Sequence, residues 1–183
     1  MRVIAGLYRG RQLKTPPDNK TRPTSDRLRE TLFNVLAPHI GDETRFLDLC
    51  AGTGAVGIEA ISRGAAFTTF VDRSKKSCAL IEENLDNLHV PENQTEIFGL
   101  DAENFCGRQH ENGWDLAFYD PPYDADYALV LHEFGFNRTL LNDAGILVVE
   151  HHAKRPVPDA VGDLRRWRVL KQGETTLSFY EYE

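Results

Sequence analysis

The stretch Phe46-Leu-Asp-Leu-Cys-Ala-Gly-Thr-Gly-Ala-Val-Gly57 joins a short apolar run to a glycine-rich turn. Apolar residues surround one acid, Asp48, and the sequence then changes to a helical pattern. This order predicts a buried parallel strand, a tight loop and the start of a helix. Gly52 and Gly54 let the backbone approach a ligand closely, and Gly57 lets the helix pack near the sheet. The N–H groups at the helix start would then lie beside a small molecule over the strand ends.

The glycine turn does not by itself identify that small molecule. Gly52-Thr-Gly-Ala-Val-Gly57 also fits the dinucleotide fingerprint, which is a weak signal when it stands alone. Asp72 follows Gly52 at the distance where an acid can accept hydrogen bonds from ribose hydroxyls. Asp72 can also cap the helix that follows Ser74, but ribose binding is the favoured interpretation. The pattern therefore predicts a nucleoside-containing cofactor and leaves more than one open.

Length and composition predict an ordinary globular protein. The chain has 183 residues, of which 41% are hydrophobic and 27% are charged, and this fits one domain with a possible N-terminal extension. Neither a membrane span nor a signal peptide is recognisable, so we expect a cytoplasmic protein, and a monomer. The three cysteines are widely spaced, which favours reduced structural thiols over disulfides or a zinc site.

Charge is distributed unevenly along the chain. The formal net charge is −7, but residues 1–30 contain eight basic and only three acidic side chains. A basic segment on an acidic body indicates a polyanionic partner at one end of the molecule. The alternative is a solvated surface without a partner. The basic residues are mostly arginines and are close together, so contact with nucleic acid is favoured.

Apolar periodicity and breaker residues predict strands that alternate with helices. After the first strand, further strands are predicted at 68–72, 94–100, 114–120, 145–150, 167–171 and 175–182. Helices are predicted after Thr24 or Ser25, from Ala55, after Ser74, after Asp101 and from Tyr127. This alternation indicates an α/β protein with a doubly wound, mostly parallel sheet of seven strands. Its last two strands form an antiparallel hairpin, and a small hairpin and a helix precede the sheet.

Acids follow four of the predicted parallel strands, at the edge where such sheets collect their ligands. They are Asp48, Asp72, Asp101 and Asp120. Four acids at strand ends are hard to attribute to core packing. Asp101 can accept a hydrogen bond from an adenine amino group, and it can equally be the N-cap of the following helix.

Asp120-Pro-Pro-Tyr123 is the most informative tetrapeptide in the chain. Asp120 and Pro121 each precede a proline, which keeps both residues extended, and neither proline has an N–H to donate. The tetrapeptide therefore offers a carboxylate, carbonyl oxygens and an aromatic ring in a rigid corner. Acceptors beside a stacking ring suit a planar base with an exocyclic amine. The alternative is a plain loop breaker.

Two adjacent histidines, His151 and His152, follow the fifth parallel strand. They have no third ligand at metal-binding spacing, so we interpret them as surface histidines and predict no metal site.

Several of these motifs resemble S-adenosylmethionine-dependent methyltransferases of class I. Asp120-Pro-Pro-Tyr123 resembles the signature of enzymes that methylate amines, and Phe46 to Gly54 resembles their cofactor loop. Ile4-Ala-Gly-Leu-Tyr-Arg-Gly-Arg11 and the segment Arg22 to Asn34 resemble the bacterial RsmD family, which methylates N2 of a guanine in 16S ribosomal RNA. The match spans nearly the whole chain and is weakest in the C-terminal hairpin. The arginine-rich entry is more specific to the family than Asp-Pro-Pro-Tyr, which DNA adenine and protein glutamine methyltransferases share.

The resemblance implies a Rossmann-like methyltransferase domain at 41–183, preceded by an RNA-contacting extension at 1–40. It implies that the Asp120 carboxylate and the Pro121 carbonyl hold the target amine while Tyr123 stacks on the base. The full set of implied catalytic residues is Asp120, Pro121, Pro122 and Tyr123. The implied cofactor-binding residues are Asp48, Ala51, Gly52, Gly54, Asp72, Arg73, Asp101 and Ala102. The implied RNA-binding residues are Arg9, Arg11, Arg22, Arg27 and Arg29. The implied partner is 16S rRNA within a small-subunit particle.

Three other functions use part of the same pattern. A nicotinamide oxidoreductase explains the glycine turn and Asp72 but leaves Asp-Pro-Pro-Tyr without a role. A non-catalytic module for RNA binding or ribosome assembly explains the arginines but does not require the Asp-Pro-Pro-Tyr corner. A DNA adenine-N6 methyltransferase shares the chemistry, yet the chain has no room for a separate target-recognition domain. The substrate that accepts a labelled methyl group would distinguish these functions.

Overall fold

A single mixed β-sheet runs through the computed structural model, which describes residues 1–16, 25–122 and 124–183. The strands are β1 (Arg45–Leu49), β2 (Phe67–Val71), β3 (Thr95–Phe98), β4 (Trp114–Tyr119), β5 (Leu141–His152), β6 (Ala160–Val161), β7 (Leu164–Gln172) and β8 (Thr175–Tyr182). Their order across the sheet is β3-β2-β1-β4-β5-β8-β7-β6. Strands β1 to β5 pair parallel with one another, whereas β8 pairs antiparallel with both β5 and β7, and β6 pairs antiparallel with β7. The doubly wound class with a reversed C-terminal hairpin is confirmed.

The described part of the chain contains five α-helices that connect or flank the strands. They are α1 (Asp26–Leu36), α2 (Ala55–Ser62), α3 (Lys75–Leu88), α4 (Ala102–Cys106) and α5 (Tyr127–Phe136). Side-chain caps start two of them as predicted, because Ser25 Oγ accepts from Leu28 N and Ser74 Oγ accepts from Ser77 N. Thr24, the alternative cap of α1, lies outside the described residues.

Gly57 has the packing role that the sequence predicts, and the predicted approach of Gly52 and Gly54 to a ligand stays a prediction. Gly54 is the N-cap of α2 with a φ of 76°, a left-handed conformation in which side chains are unfavourable. At Gly57 an added Cβ would lie 2.3 Å from Phe70 Cε1. Close packing of α2 on β2 therefore requires glycine at this position.

The N-terminal segment and α1 are built into the core. Leu28, Leu32 and Leu36 pack with sheet residues on one face of the sheet. Within residues 1–16, one antiparallel bridge joins Arg2 and Gln12, so the predicted hairpin is present but too short to form strands. Because α1 shares the core of the sheet, the division of the chain at residue 40 remains a prediction about function.

Three details differ from the predictions. An eighth strand, β6, has two residues and pairs with the start of β7, so its pattern was too short to recognise. Strand β5 extends beyond the predicted 145–150 at both ends, because Leu141 pairs with Trp114 of β4 and the last residues of the strand pair with β8. The prediction that His151 lies on the surface is wrong, because that ladder turns it inward to contact Ser178 Oγ at 2.9 Å, and it is only 6% exposed.

None of the described helices has the length and apolar character that crossing a bilayer requires.

Candidate active site

A cleft of about 270 Å³ lies at the edge of the sheet where the parallel strands end. The register aligns Leu49 of β1 with Val71 of β2 and with Tyr119 of β4, so the residues that follow these strands meet at one place. The cleft is lined by Cys50, Val71, Asp72, Arg73, Leu100, Asp101, Ala102, Glu103, Tyr119, Pro121, Pro122, Asp124 and Ala125. The structure therefore brings together residues from four predicted strand ends.

Two acids hold the glycine loop in shape. Asp48 is buried below the loop, and its Oδ2 accepts from the N–H of Gly57 at 2.8 Å. Asp72 Oδ2 accepts from the N–H of Gly52, and its Oδ1 accepts from the N–H of Ser74, both at 2.8 Å. Asp72 thus connects the loop to the start of α3 and also lines the cleft. A carboxylate has about four acceptor positions, so Asp72 retains capacity for a ligand.

The electrostatic character of the cleft is acidic. Burial raises the pKa of Asp48 well above its ordinary value, the Gly57 N–H opposes this, and the Asp120 and Asp72 carboxylates raise the pKa further. Of the described residues that line the cleft, four are acids and Arg73 is the basic one. Such a site favours a ligand with positive charge and disfavours a diphosphate.

Asp101 occupies the N-cap position of α4, but its side chain makes no capping bond to a backbone N–H. Its Oδ2 accepts from the side chain of Asn104 at 3.2 Å instead. The carboxylate is exposed on the cleft beside Ala102. It is therefore accessible to a donor group on a ligand.

The Asp-Pro-Pro corner follows β4 directly. The N–H of Asp120 points at Leu49 O at 3.4 Å, which ties the corner to the end of β1. Pro121 and Pro122 line the cleft, and Pro122 O accepts from the N–H of Ala125 at 2.9 Å to close the turn. Tyr123 lies outside the described residues, so its predicted stacking role remains a prediction.

The predicted RNA-binding arginines differ in their exposure to solvent. Arg9, Arg11 and Arg27 are exposed, although Arg11 also donates to Asn87 O at 2.8 Å. Arg22 lies outside the described residues. A second cleft of about 460 Å³ lies between the N-terminal segment and α1, where Arg9 lines it with residues of both charges.

The prediction that Arg29 contacts RNA is wrong, because its side chain is completely buried. Its guanidinium donates to Arg2 O at 2.8 Å and to Asp26 Oδ1 at 2.7 Å. A third donation, at 3.5 Å, goes to Ala55 O at the start of α2. Arg29 therefore joins the N-terminal segment, α1 and α2.

Sequence reasoning missed several residues of the cleft, among them Cys50, Leu100, Glu103 and Tyr119. Cys50 has a φ of 62°, which turns the chain sharply at the end of β1. Burial, and then the Asp72 and Asp120 carboxylates, raise the pKa of the Cys50 thiol, which favours the thiol over the nucleophilic thiolate. Cys50 directly follows β1 and so could have been predicted from its position, whereas Tyr119 is the last residue of β4 and Glu103 lies within α4.

A doubly wound sheet with a glycine loop after β1 and an Asp-Pro-Pro corner after β4 defines a Rossmann-like methyltransferase. Comparison with solved structures agrees. A structure described as putative methyltransferase yhhF from Escherichia coli superposes with a TM-score of 0.87 at 32% identity, covering 100% of this chain and 98% of that one.

Sequence comparison identifies the family. The model of a family described as "Conserved hypothetical protein 95" matches residues 1–181, and the chain belongs to this family, the RsmD family. The "Putative rRNA methyltransferase YlbH" of Bacillus subtilis is 36% identical over 99% of this chain and 98% of that protein. The "Ribosomal RNA small subunit methyltransferase D" of Haemophilus influenzae is 32% identical over 98% of this chain and 91% of that protein.

Proposed function

We propose that this protein transfers a methyl group from S-adenosylmethionine to the exocyclic N2 amine of a guanine in 16S rRNA of the small ribosomal subunit. The observation that carries the proposal is the Asp120-Pro-Pro corner, which adjoins the cleft in a chain of the RsmD family. The relative from Haemophilus influenzae, named as a small-subunit rRNA methyltransferase, supports an RNA substrate.

The described residues of the cleft fit S-adenosylmethionine better than a nicotinamide dinucleotide. The sulfonium and ammonium groups of S-adenosylmethionine are cationic, and the cleft is acidic, whereas a dinucleotide would bring a diphosphate among carboxylates. S-adenosylmethionine supplies an electrophilic methyl group when it is bound. Asp72 has acceptor capacity for ribose hydroxyls, and Asp101 has an exposed carboxylate for an adenine amine.

Some of the other predicted cofactor residues line the cleft, and the rest form or fix the glycine loop. Arg73 and Ala102 line the cleft, and Ala51, Gly52 and Gly54 form the loop above it. Asp48 acts from below, because its hydrogen bond to Gly57 fixes the loop and the start of α2.

The task of the Asp120 corner is to orient a weak nucleophile. The lone pair of the guanine N2 amine is delocalised into the ring, so the amine must be held with that lone pair directed at the methyl group. The Asp120 carboxylate and the Pro121 carbonyl each accept a hydrogen bond from one of the two N–H groups of the amine, and these hydrogen bonds orient the lone pair. Asp120 also stabilises the positive charge that develops on nitrogen and accepts the proton late in the reaction. Tyr123 stacks on the base.

Replacing Asp120 tests the proposal. We expect Asp120→Ala to reduce methyl transfer by about 10³-fold, the range for loss of a group that acts on the transition state, while S-adenosylmethionine binds as before. The assay follows labelled methyl groups into small-subunit particles from cells that lack the protein and maps them by mass spectrometry. Binding of the cofactor is measured separately by calorimetry.

The matched control is Asp143→Ala, because Asp143 is fully exposed near the start of β5, at the opposite edge of the sheet. Retained transfer in Asp120→Ala would refute the role of Asp120. Methylation of DNA adenine instead of RNA would support the alternative enzyme class, and RNA binding without any transfer would support a non-catalytic assembly factor.

A further inference from the structure

Strand β7 presents an aromatic and basic surface that the proposed function has not used. Residues 164–172 contain four basic side chains and no acidic one. Two of them are neutralised within the hairpin region, because Arg165 pairs with Glu183 and Arg166 pairs with Asp159. In the part of the chain that the structure describes, Arg168 is exposed and has no ion pair.

A β-bulge places Trp167 and Arg168 on the same face of the sheet. The pairing of β7 with β8 shifts between Arg166 and Arg168, so Trp167 and Arg168 both lie opposite Phe179. The Trp167 ring packs on the Phe179 ring with their centroids 5.7 Å apart. Phe179 belongs to the core cluster that contains the apolar side of α1. Trp167 and Arg168 therefore face the same side of the sheet as α1.

Trp167 is 41% exposed although one side of its ring is packed. A large aromatic ring fixed on one side and open on the other is suited to stacking with a nucleic acid base. Among the described residues, no strand pairs with the edge of β7 next to it, because β6 pairs only with Leu164 and Arg165. Exposed aromatic and arginine side chains on such a strand match a single-stranded polyanion by charge and by shape.

Helix α1 extends this surface toward the basic N-terminal segment. The Thr31 hydroxyl lies 3.4 Å from Gln172 Oε1 at the end of β7, and it also donates to Arg27 O one helical turn earlier. Arg27 is exposed. The two basic regions, distant in sequence, are thus joined across one side of the molecule.

We propose that Trp167 and Arg168 form a second contact for the RNA substrate, in which Trp167 stacks on an unpaired base and Arg168 binds the neighbouring phosphate. The proposal rests on RNA being the substrate. Three strand spacings separate β7 from β4, about 14 Å at the usual distance between strands. The contact therefore engages a nucleotide other than the target base and raises affinity and selectivity without entering the chemistry.

The fluorescence of the protein gives a direct test. The chain has two tryptophans, and Trp114 is buried at 2% exposure with its indole N–H bonded to Thr69 Oγ1. Quenching by RNA therefore reports on Trp167. We expect poly(U) to quench the emission of the wild-type protein, and we expect the quenching to disappear in Trp167→Phe, which keeps an aromatic ring on Phe179.

Kinetics with small-subunit particles provide the second arm. We expect Trp167→Ala to raise the KM for particles about 10-fold, the size of a lost base stack, with unchanged kcat and S-adenosylmethionine affinity. Trp167→Phe should restore most of the KM. Arg168→Ala should reduce the salt slope of poly(U) binding by about 0.7, whereas Arg108→Ala, an exposed arginine after α4 on the other side of the sheet, should not.

These experiments test the second RNA contact separately from the proposed function. Normal methylation with an unchanged KM in Trp167→Ala and no quenching by poly(U) would overturn the second contact and leave the enzyme function intact. A raised KM for particles without quenching would indicate a ribosomal protein at this surface and would also overturn it. Quenching by poly(U) in a protein that methylates no RNA would support the contact and refute the proposed function.

Discussion

The acidic cleft and the basic N-terminal region hold their charges in different ways. In the cleft, the acids follow parallel strands whose register fixes their position, and Asp72 is further held by two backbone N–H groups. In the basic region, Arg27 and Arg29 are two residues apart in one helix, yet Arg27 is exposed and Arg29 is completely buried. In this chain the position of Asp72 and Asp101 on one cleft follows from the strand ends alone, whereas the exposure of a charged residue on a helix depends on which side of the helix is covered.

The sharpest test of this difference compares the two arginines of α1. Arg29→Ala should lower the free energy of unfolding by about 3 kcal/mol, because it leaves a cavity and deprives the carbonyls of Arg2 and Ala55 of their donor. Arg27→Ala should change it by less than about 0.5 kcal/mol, as for other exposed positions. Urea denaturation of both variants measures the values. Similar losses in the two variants would contradict the assigned burial.

A second test concerns the packing that supports the cleft. Gly57→Ala should destabilise the protein by about 1–3 kcal/mol, because the new methyl group would overlap the Phe70 ring. Gly41→Ala is the matched control, since a Cβ there meets no atom within 4 Å. Thermal unfolding with and without S-adenosylmethionine would show whether the cofactor recovers part of the loss. Equal stability of the two variants would show that α2 can shift away from β2 without cost.

A third test addresses the exposed arginines as RNA ligands. Arg9→Ala and Arg27→Ala should each reduce the slope of log affinity for RNA against log salt by about 0.7, the value for one lost phosphate contact on single-stranded nucleic acid. The slope is measured by titrating small-subunit rRNA at several salt concentrations. The salt slope of Arg2→Ala is measured for comparison, because Arg2 is also exposed but its guanidinium lies 3.5 Å from the Asp26 carboxylate. An unchanged slope in all three variants would remove the basic region from the interface.

The smallest expected effect concerns Asp48. Because burial raises the pKa of Asp48 in the folded state above its value in the unfolded chain, stability should fall as pH rises above about 4, where the unfolded carboxyl ionises. Asp48→Asn keeps an oxygen to accept from the Gly57 N–H and cannot ionise. We expect its unfolding midpoint to fall less than that of the wild-type protein between pH 4 and pH 8. Asp143→Asn, at an exposed acid, serves as the control, and parallel curves for all three proteins would contradict the direction of the pKa shift.

The sequence pattern predicted several residues of the cleft but did not predict others. Asp72, Asp101 and the prolines after β4 were predicted because strand ends in a parallel sheet share one edge. Cys50, Glu103 and Tyr119 line the same cleft, but each also fits an ordinary core or surface position. Their exposure to the cleft depends on a left-handed turn at Cys50 and on the placement of α4, neither of which is a local property.

The same distinction applies to the outer surface. Helical periodicity located the apolar face of α1, but the burial of Arg29 arises from carbonyls that residues 2 and 55 bring to it. The bulge in β7 leaves Trp167 and Arg168 together on the side of α1, whereas a strict alternation along the strand would place these adjacent residues on opposite faces. His151 is buried because β5 continues into a ladder with β8, and the local sequence of β5 does not predict this pairing.

Local sequence was sufficient for the order of strands and helices, for the glycine loop and for the Asp-Pro-Pro corner, because backbone preferences and apolar periodicity act over a few residues. Contacts between distant segments were needed to show which arginines are accessible, that Glu103 and Asp124 also line the cleft and that β7 shares a surface with α1. Burial and electrostatic potential are sums over everything that surrounds a side chain, and those surroundings exist only once the chain has folded.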